Sequence, residues 1–498
     1  MTFASLKQDS VADLIERFAG PGERTLLVGA GSSMEADLPS WRTLIKRLLS
    51  TVAKERSELV TEELRTQWIE RVLNRDELLG AAAVVEVLTA DSLNKLVPKH
   101  LYGDNDPLGY LPGAIGQEIA KLRVCFGEDL QILTTNYDDL IEQALVDNGV
   151  PKSKIRSYVT KRSAEHRAKG TVGVTHLHGR AARSGDPKGI VLTEGHYHRM
   201  QRGSSWQEKL VTERLKDSQC LFVGTSLADP NLIRYLYGYD PPESARHAAI
   251  FVREAEPSSP SPVRAVLEES ACKRWERCGV RAIFVDHFAD AAQLLYEIRY
   301  RREAGDSYEP INDRAAELIV KAEKGFYAGG LEEFGRRQVV LSEWLRNMLS
   351  KVIEALRDIG EDLPPSEKLG MGLWLMNSDG QYLTGWAHSD RAHQDPATVS
   401  PVLIHAASKW VAVRTVCRGL VVQQDTNNYA SRWHLVRGVP VVLEDPSRIP
   451  IGCLTLTSTC SEADSVLSKM APDVRNEVHE YLVGMTASLV ELLVSAGP

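Results

Sequence analysis

His178, in the segment Thr175-His176-Leu177-His178-Gly179, is a candidate general base. An imidazole with an ordinary pKa near ~6.5 can take a proton from water or a hydroxyl at neutral pH. Asn136, in Thr134-Thr135-Asn136-Tyr137-Asp138, can donate and accept at once, and so can hold a hydroxyl or an attacking water. Its other reading is an ordinary turn residue at a strand end. The run Gly29-Ala30-Gly31-Ser32-Ser33 would let backbone N–H groups approach a pyrophosphate with no Cβ in the way. It is not the full GxGxxG pattern, and small-residue turns after strands are common. A fourth small-residue segment is Gly224-Thr225-Ser226-Leu227. His176 and His178 stand two apart, as do His196 and His198, a spacing that admits a metal site. No carboxylate or cysteine cluster accompanies them, so no metal is expected and His176 reads as structural.

The elements that must hold these groups are short apolar runs at 24–29, 130–133, 173–177, 220–223, 248–252 and 280–285, with helix-like stretches between most of them. Such alternation predicts an α/β fold, a parallel sheet covered by helices. Each chemical segment ends or follows one of these runs, where an open parallel sheet gathers its ligand groups. Residues 50–120 read as a helical insertion without nameable chemistry. Glu256 to Pro262 reads as a surface loop, and the polar stretch Glu303 to Pro310 as a domain boundary.

In this order the four segments resemble the sirtuin family: GAG-x-S at Gly29 to Ser33, a TxN-x-D element at Thr134 to Asp138, HG at His178-Gly179, and GTSL at Gly224 to Leu227. The resemblance covers roughly residues 10 to 300. It implies a Rossmann-like fold in which Gly29, Ala30, Gly31, Ser33, Gly224, Thr225 and Ser226 hold the NAD phosphates and ribose. Asn136 and His178 then face the nicotinamide ribose, and Asp138 the carboxamide. Glu254, after the run 248–252, is a candidate for the adenosine ribose or a solvated surface carboxylate. The segment Thr193 to Tyr197 is a candidate for closing over the ligand.

Sirtuin deacylases carry a zinc ribbon with two CxxC pairs, and no such pair exists among Cys125, Cys220, Cys272, Cys278, Cys417, Cys453 and Cys460. The stretches Asp37 to Trp41 and Leu227 to Leu232 are instead similar to sirtuin-like domains of bacterial anti-phage systems, which implies NAD hydrolysis that halts phage growth. Nicotinamide is a cationic leaving group and needs no general acid; a base and good positioning suffice. A protein deacylase and a non-catalytic module that senses NAD or ADP-ribose are the alternatives.

After a linker at 304–330, residues 331–498 read as an α+β domain. A helix with Leu341, Leu345, Met348, Val352 and Leu356 on one face is followed by strand-like runs at 371–376, 382–386, 439–443 and 451–458, then a helix with Val478, Leu482, Met485, Leu489 and Leu493 on one stripe. Gly438 to Val442 and Pro450 to Leu456 resemble the closing strand pair of GAF-type sensor domains. That implies a regulatory domain with an unidentified activating ligand or protein partner, and a homo-oligomer.

The chain has 498 residues, 43% of them hydrophobic and 25% charged, with a formal net charge of -8. That balance argues against nucleic acid as a partner. Without a long apolar run or a basic-then-apolar leader, no membrane association is expected and a cytoplasmic location is.

Overall fold

The structure is a computed structural model that describes residues 8–36, 38–89, 93–103, 110–161, 170–201, 205–240, 246–255, 260–327, 329–358, 360–405, 408–419, 421–426, 432–442 and 450–469. The chain divides into two compact units, Asp13–Phe284 and Met1–Ala12 with Val285–Pro498.

The first unit is built on strands β1 (Arg24–Val28), β2 (Leu130–Thr134), β3 (Ile155–Tyr158), β4 (Val172–His176), β5 (Gln219–Val223), β6 (His247–Val252) and β7 (Val280–Val285), in the spatial order β3-β4-β2-β1-β5-β6-β7. The pairs β1–β2, β1–β5, β2–β4, β3–β4 and β5–β6 are parallel. Every residue of β1, β5 and β6 is buried, as expected of central strands covered on both faces. The chain winds from β1 to β2 on one side and returns to β5 on the other. The doubly wound, Rossmann-like sheet thus reverses direction at β1, the point where sheets of this kind gather ligand groups at the ends of their strands.

The helices of this region are α1 (Asp9–Ala19), α2 (Gly31–Met34), α3 (Trp41–Lys54), α4 (Glu62–Leu88), α5 (Leu93–Tyr102), α6 (Ala114–Phe126), α7 (Leu140–Asp147), α8 (Glu194–Gln201), α9 (Trp206–Asp217), α10 (Pro230–Tyr237) and α11 (Ser261–Glu276). The stretch expected as a helical insertion, 50–120, holds the end of α3, then α4 and α5, and the start of α6. Ser40 caps α3 by accepting from the Thr43 N–H at 3.2 Å, an arrangement that satisfies one of the open donors of a first turn. Leu44, Leu48 and Val52 pack there with Ile69, Val72, Val85, Val97 and Leu101 in one core. Helix α4 is broken at Glu77, whose φ is 54°.

Two elements differ from the sequence reading. Strand β3 is short and alternates in exposure, so no continuous apolar run announced it. The expected loop at 256–262 ends at Ser261, where α11 begins; residues 256–259 lie outside the described residues, as does Asp37.

The second unit holds α12 (Phe288–Ala304), α13 (Ile311–Tyr327), α14 (Gly330–Asp358), β8 (Leu369–Met376), β9 (Tyr382–His388), β10 (Pro401–Leu403), α15 (Val411–Arg418), β11 (Val422–Asp425), β12 (Leu435–Val442) and β13 (Pro450–Ser458). Its six strands form an antiparallel sheet in the order β10-β9-β8-β13-β12-β11. The stretch expected as a linker is mostly α13. The stripe anticipated on α14 is buried at Leu341, Leu345, Val352 and Leu356. Gln338 of that helix donates to the Trp386 carbonyl at 2.6 Å, and Phe326 stacks on the Trp386 ring at 4.1 Å. The final helix expected around Val478 to Leu493 and residue 443 of the expected strand lie outside the described residues.

Candidate functional site

The site begins where β1 and β2 end. Thr134 Oγ1 and the Thr135 N–H both donate to the Val28 carbonyl at 3.0 Å, and Thr134 Oγ1 accepts from the Asn136 N–H at 3.0 Å. That turn aims the Asn136 side chain back at the first loop. Its Nδ2 donates to Ser32 Oγ at 3.2 Å and to Ser33 Oγ at 3.1 Å. Its Oδ1 is buried with no hydrogen-bond partner. A buried carbonyl oxygen left unpaired costs about 1–3 kcal/mol, so such an atom marks a place where a ligand hydroxyl or a water fits.

The glycines act chiefly on each other. A Cβ at Gly29 would lie 2.7 Å from the Gly224 carbonyl oxygen, and one at Gly31 would lie 2.8 Å from the same atom. Gly224 has φ +65°, and a Cβ there would meet the Ser32 nitrogen at 2.4 Å. The Gly31 N–H donates to the Gly224 carbonyl at 2.7 Å. The first loop and the loop after β5 therefore pack backbone against backbone, which side chains would forbid. Three residues on, Leu227 is buried at φ 52°, a region that costs a non-glycine residue about 1–3 kcal/mol. Thr225 Oγ1 accepts from the Leu227 N–H at 3.1 Å, and Ser226 is exposed on the turn.

His178 lies one residue beyond Leu177, whose N–H donates to the Thr134 carbonyl at 2.7 Å. Its Nε2 stands 3.6 Å from Asp229 Oδ2, and its ring meets Tyr197 edge-on with centroids 5.5 Å apart. The Tyr197 hydroxyl donates to the same Asp229 oxygen at 2.5 Å. The other oxygen of Asp229 accepts from the Asn231 and Leu232 N–H groups, both at 2.9 Å, and so caps α10. One carboxylate thus terminates a helix and faces the candidate base. Burial and the Asp229 charge push the Tyr197 phenol far above its ordinary range, so it stays a neutral donor. At Gly179, with φ +84°, a Cβ would meet the Gly189 oxygen at 2.2 Å, so the turn after His178 admits no side chain.

His176 is fully buried between Glu142 and the Asn136 carbonyl. Burial disfavours its charge, but the Glu142 charge and hydrogen bond outweigh that and raise it above its ordinary value. Asp138 is pushed up to about 6 by burial, against the Leu140 N–H and the Ser33 hydroxyl that favour its charged form.

The structure thus brings Gly29, Gly31, Ser33, Asn136, Asp138 and Gly224 into one contact network, with Ala30 in the turn between the two glycines. His178 belongs to a neighbouring cluster with Tyr197 and Asp229. His196 and His198 go elsewhere, to Glu86 at 3.2 Å and Glu194 at 3.5 Å. The segment 193–197 opens α8, with Thr193 Oγ1 accepting from the His196 N–H at 3.3 Å. Glu254 sits half-buried in a 3-10 turn after β6.

Sequence reasoning missed Ser32, Glu142 and Asp229. The Asp229-Pro230 pair carried a legible signal, since an acid before proline reads as a helix cap and first helical residue. Nothing local announced its second contact, toward His178.

Residues 130–283 match the family model described as a SIR2-like domain. No curated protein matches the chain. Among solved structures the chain is similar to a SIR2 homolog–NAD complex, at 16% identity over 59% of this chain and 93% of that one, with a TM-score of 0.30. It is also similar to residues 122 to 287 of a methyl-accepting chemotaxis protein, at 14% identity over 30% and 88%, with a TM-score of 0.20. Among the described residues no helix is long and apolar enough to cross a membrane.

Proposed function

We propose that the first unit hydrolyses NAD to nicotinamide and ADP-ribose. The carrying observation is the buried, unpartnered Asn136 Oδ1, held by Ser32 and Ser33 at the reversal point of the sheet. The match of residues 130–283 to a SIR2-like domain supports the choice of ligand. The residues fit NAD: an open acceptor for a ribose hydroxyl or water, small loops at the reversal point for phosphates, and an imidazole nearby. NAD supplies a cationic leaving group that departs without a general acid. Asn136 orients the hydroxyl or water, and His178 takes its proton. Asp229, carrying negative charge beside His178 Nε2, stabilises the ring once it has gained that proton. Tyr197 fixes the carboxylate that does so.

The chain carries no CxxC pair, which favours hydrolysis over deacylation. The boundaries we propose are a catalytic domain at 1–303, a helical connector at 304–330 and a GAF-like regulatory domain at 331–498. The protein would then be a cytoplasmic, homo-oligomeric anti-phage effector whose activity the C-terminal domain restrains or licenses, because unchecked NAD hydrolysis would kill its own host.

The test is nicotinamide release from NAD by the full-length protein beside His178→Ala and Asn136→Ala. Release that needs both side chains supports the reading. Equal release from both folded variants overturns it, and NAD binding without release by the wild type favours the sensor alternative.

A further inference from the structure

His176 presents both ring nitrogens to acceptors. Nδ1 stands 3.0 Å from the Asn136 carbonyl oxygen and Nε2 stands 2.9 Å from Glu142 Oε1. A neutral imidazole has one N–H and one lone pair, so it cannot satisfy a carbonyl and a carboxylate together. The geometry requires one further proton, carried by the ring or shared with Glu142. The surroundings are arranged to keep it. The Ser157 hydroxyl of β3 donates to Glu142 Oε1 and the Arg180 Nε stands 3.5 Å from it, while the other oxygen, Oε2, is buried without a partner. Arg180 is itself paired with Asp139 at 3.3 Å, and the charge of Asp138 is stabilised by His176.

We infer that His176 and Glu142 are positioning residues that lock Asn136 in place through a shared buried proton, and that the site holds its working geometry only while both ring nitrogens are protonated. This rests on the reading of Asn136 given above. When the proton leaves, the one remaining ring N–H goes to the stronger acceptor, the carboxylate. The Asn136 carbonyl then faces a lone pair, and the turn that aims Oδ1 into the site loses its donor.

The electrostatics agree in sign. Burial opposes the His176 charge, but Glu142 raises it above its ordinary 6.5. Burial likewise opposes the Glu142 charge, yet His176 and Arg180 hold it below its ordinary 4.5. The His176 contribution to stability is therefore complete below 6.5 and is lost as pH rises through the raised value. That of Glu142 is complete above 4.5 and is lost as pH falls through the lowered value.

The decisive variant is Glu142→Leu. Leucine removes the acceptor that faces Nε2, so the single ring proton goes to the remaining acceptor, the Asn136 carbonyl at Nδ1, and stays there on the alkaline side. The first experiment reads the His176 ring by 1H–15N NMR on the full-length protein without ligand. The expected result is two ring N–H groups in the wild type at pH 7 with loss of the Nδ1 proton on the alkaline side. Glu142→Leu should show a single Nδ1–H that persists there. A single ring proton in the wild type at pH 7 overturns the inference whether or not the variant folds.

The second experiment is the pH profile of nicotinamide release. The wild type should fall about tenfold per pH unit beyond its alkaline midpoint, and Glu142→Leu should remove that fall. An unchanged alkaline limb in the folded variant also overturns the proton lock. If no form releases nicotinamide while the ring protons behave as expected, the lock stands and the cleavage reading fails.

Discussion

Two clusters of glycines, one in each unit, make room for different neighbours. In the first, Gly29, Gly31 and Gly224 clear space for backbone, and two loops at the ends of parallel strands interlock. In the second, Gly370, Gly372 and Gly385 clear space for side chains. A Cβ at Gly370 would lie 2.7 Å from Trp433 Cη2, one at Gly372 would lie 2.8 Å from Thr455 Oγ1 and 3.1 Å from His388 Nδ1, and one at Gly385 would lie 3.3 Å from Trp374 Cζ3. Parallel strands all end on the same side, so their following loops converge and can share ligand groups. Antiparallel strands send successive loops to opposite ends, and what this sheet offers instead is a face. The lesson is that like residues mark a candidate reaction centre in one unit and a packed surface in the other.

Two clusters, one in each unit, also differ in charge. The first unit buries Asp138, Glu142 and His176 around Asn136. The second keeps His388 neutral, its value lowered to about 4 by burial, Arg391 and His393, with Arg391 donating to His388 Nε2 at 3.2 Å.

Catalysis gives the largest expected separation. His178→Ala should lower nicotinamide release by about 10²–10⁴-fold, the usual range for losing a proton-transfer group, and Asn136→Ala by about 10²-fold through lost orientation, with circular dichroism unchanged. His388→Gln should leave release from the full-length protein within a factor of about three. A comparable loss in His388→Gln would erase the division of labour between the units.

The glycines come next. Gly224→Ala combines a left-handed φ with a clash against backbone, and should destabilise the fold by more than about 3 kcal/mol in denaturant unfolding. Gly385→Ala meets only the rim of a ring that can shift, and should cost about 1 kcal/mol. Equal costs would show that the loop interlock at Gly224 is no costlier to disturb than the ring contact at Gly385.

Opposite pH signatures sharpen the comparison further. Asp138 is raised from 3.8 to about 6, so its cost to the fold is absent below 3.8, grows as pH rises through that window and is constant above it. Asp138→Asn should therefore stabilise the protein at pH 7.5 by up to about 3 kcal/mol and give no gain near pH 3.5, while nicotinamide release falls. A stability gain that does not change with pH would assign the effect to packing.

The smallest effect is expected at His388. Its value is lowered from 6.5 to about 4, so its cost is absent above 6.5 and grows as pH falls toward 4. His388→Gln should flatten that acid loss by about 1 kcal/mol, after allowing for the part of the ring that still meets water. A steeper acid loss in the variant would reverse the assigned sign.

Much of the first unit was legible because its strands are apolar runs punctuated by glycine, and such local signals survive in any fold. Six of its seven strands follow from them, and the helical reading of 50–120 is met by α4 and α5. Strand β3 did not, because an edge strand with alternating exposure carries little hydrophobic signal. In the second unit the short edge strands β10 and β11 escaped for the same reason, and the supposed linker proved to be helix α13.

The sequence by itself determined which residues could do chemistry and that each stands at a strand end. It could not say that Gly224 would fill the space beside Gly29 and Gly31, that Glu142 would meet His176, or that the cap residue Asp229 would turn its second oxygen toward His178. Those pairings join residues that lie far apart in the chain, and strand order decides which loops become neighbours. A hydrophobic run sets that a strand forms, since burial is a property of the local stretch; the order of strands depends on how the covering helices pack, and only the tertiary structure carries that information.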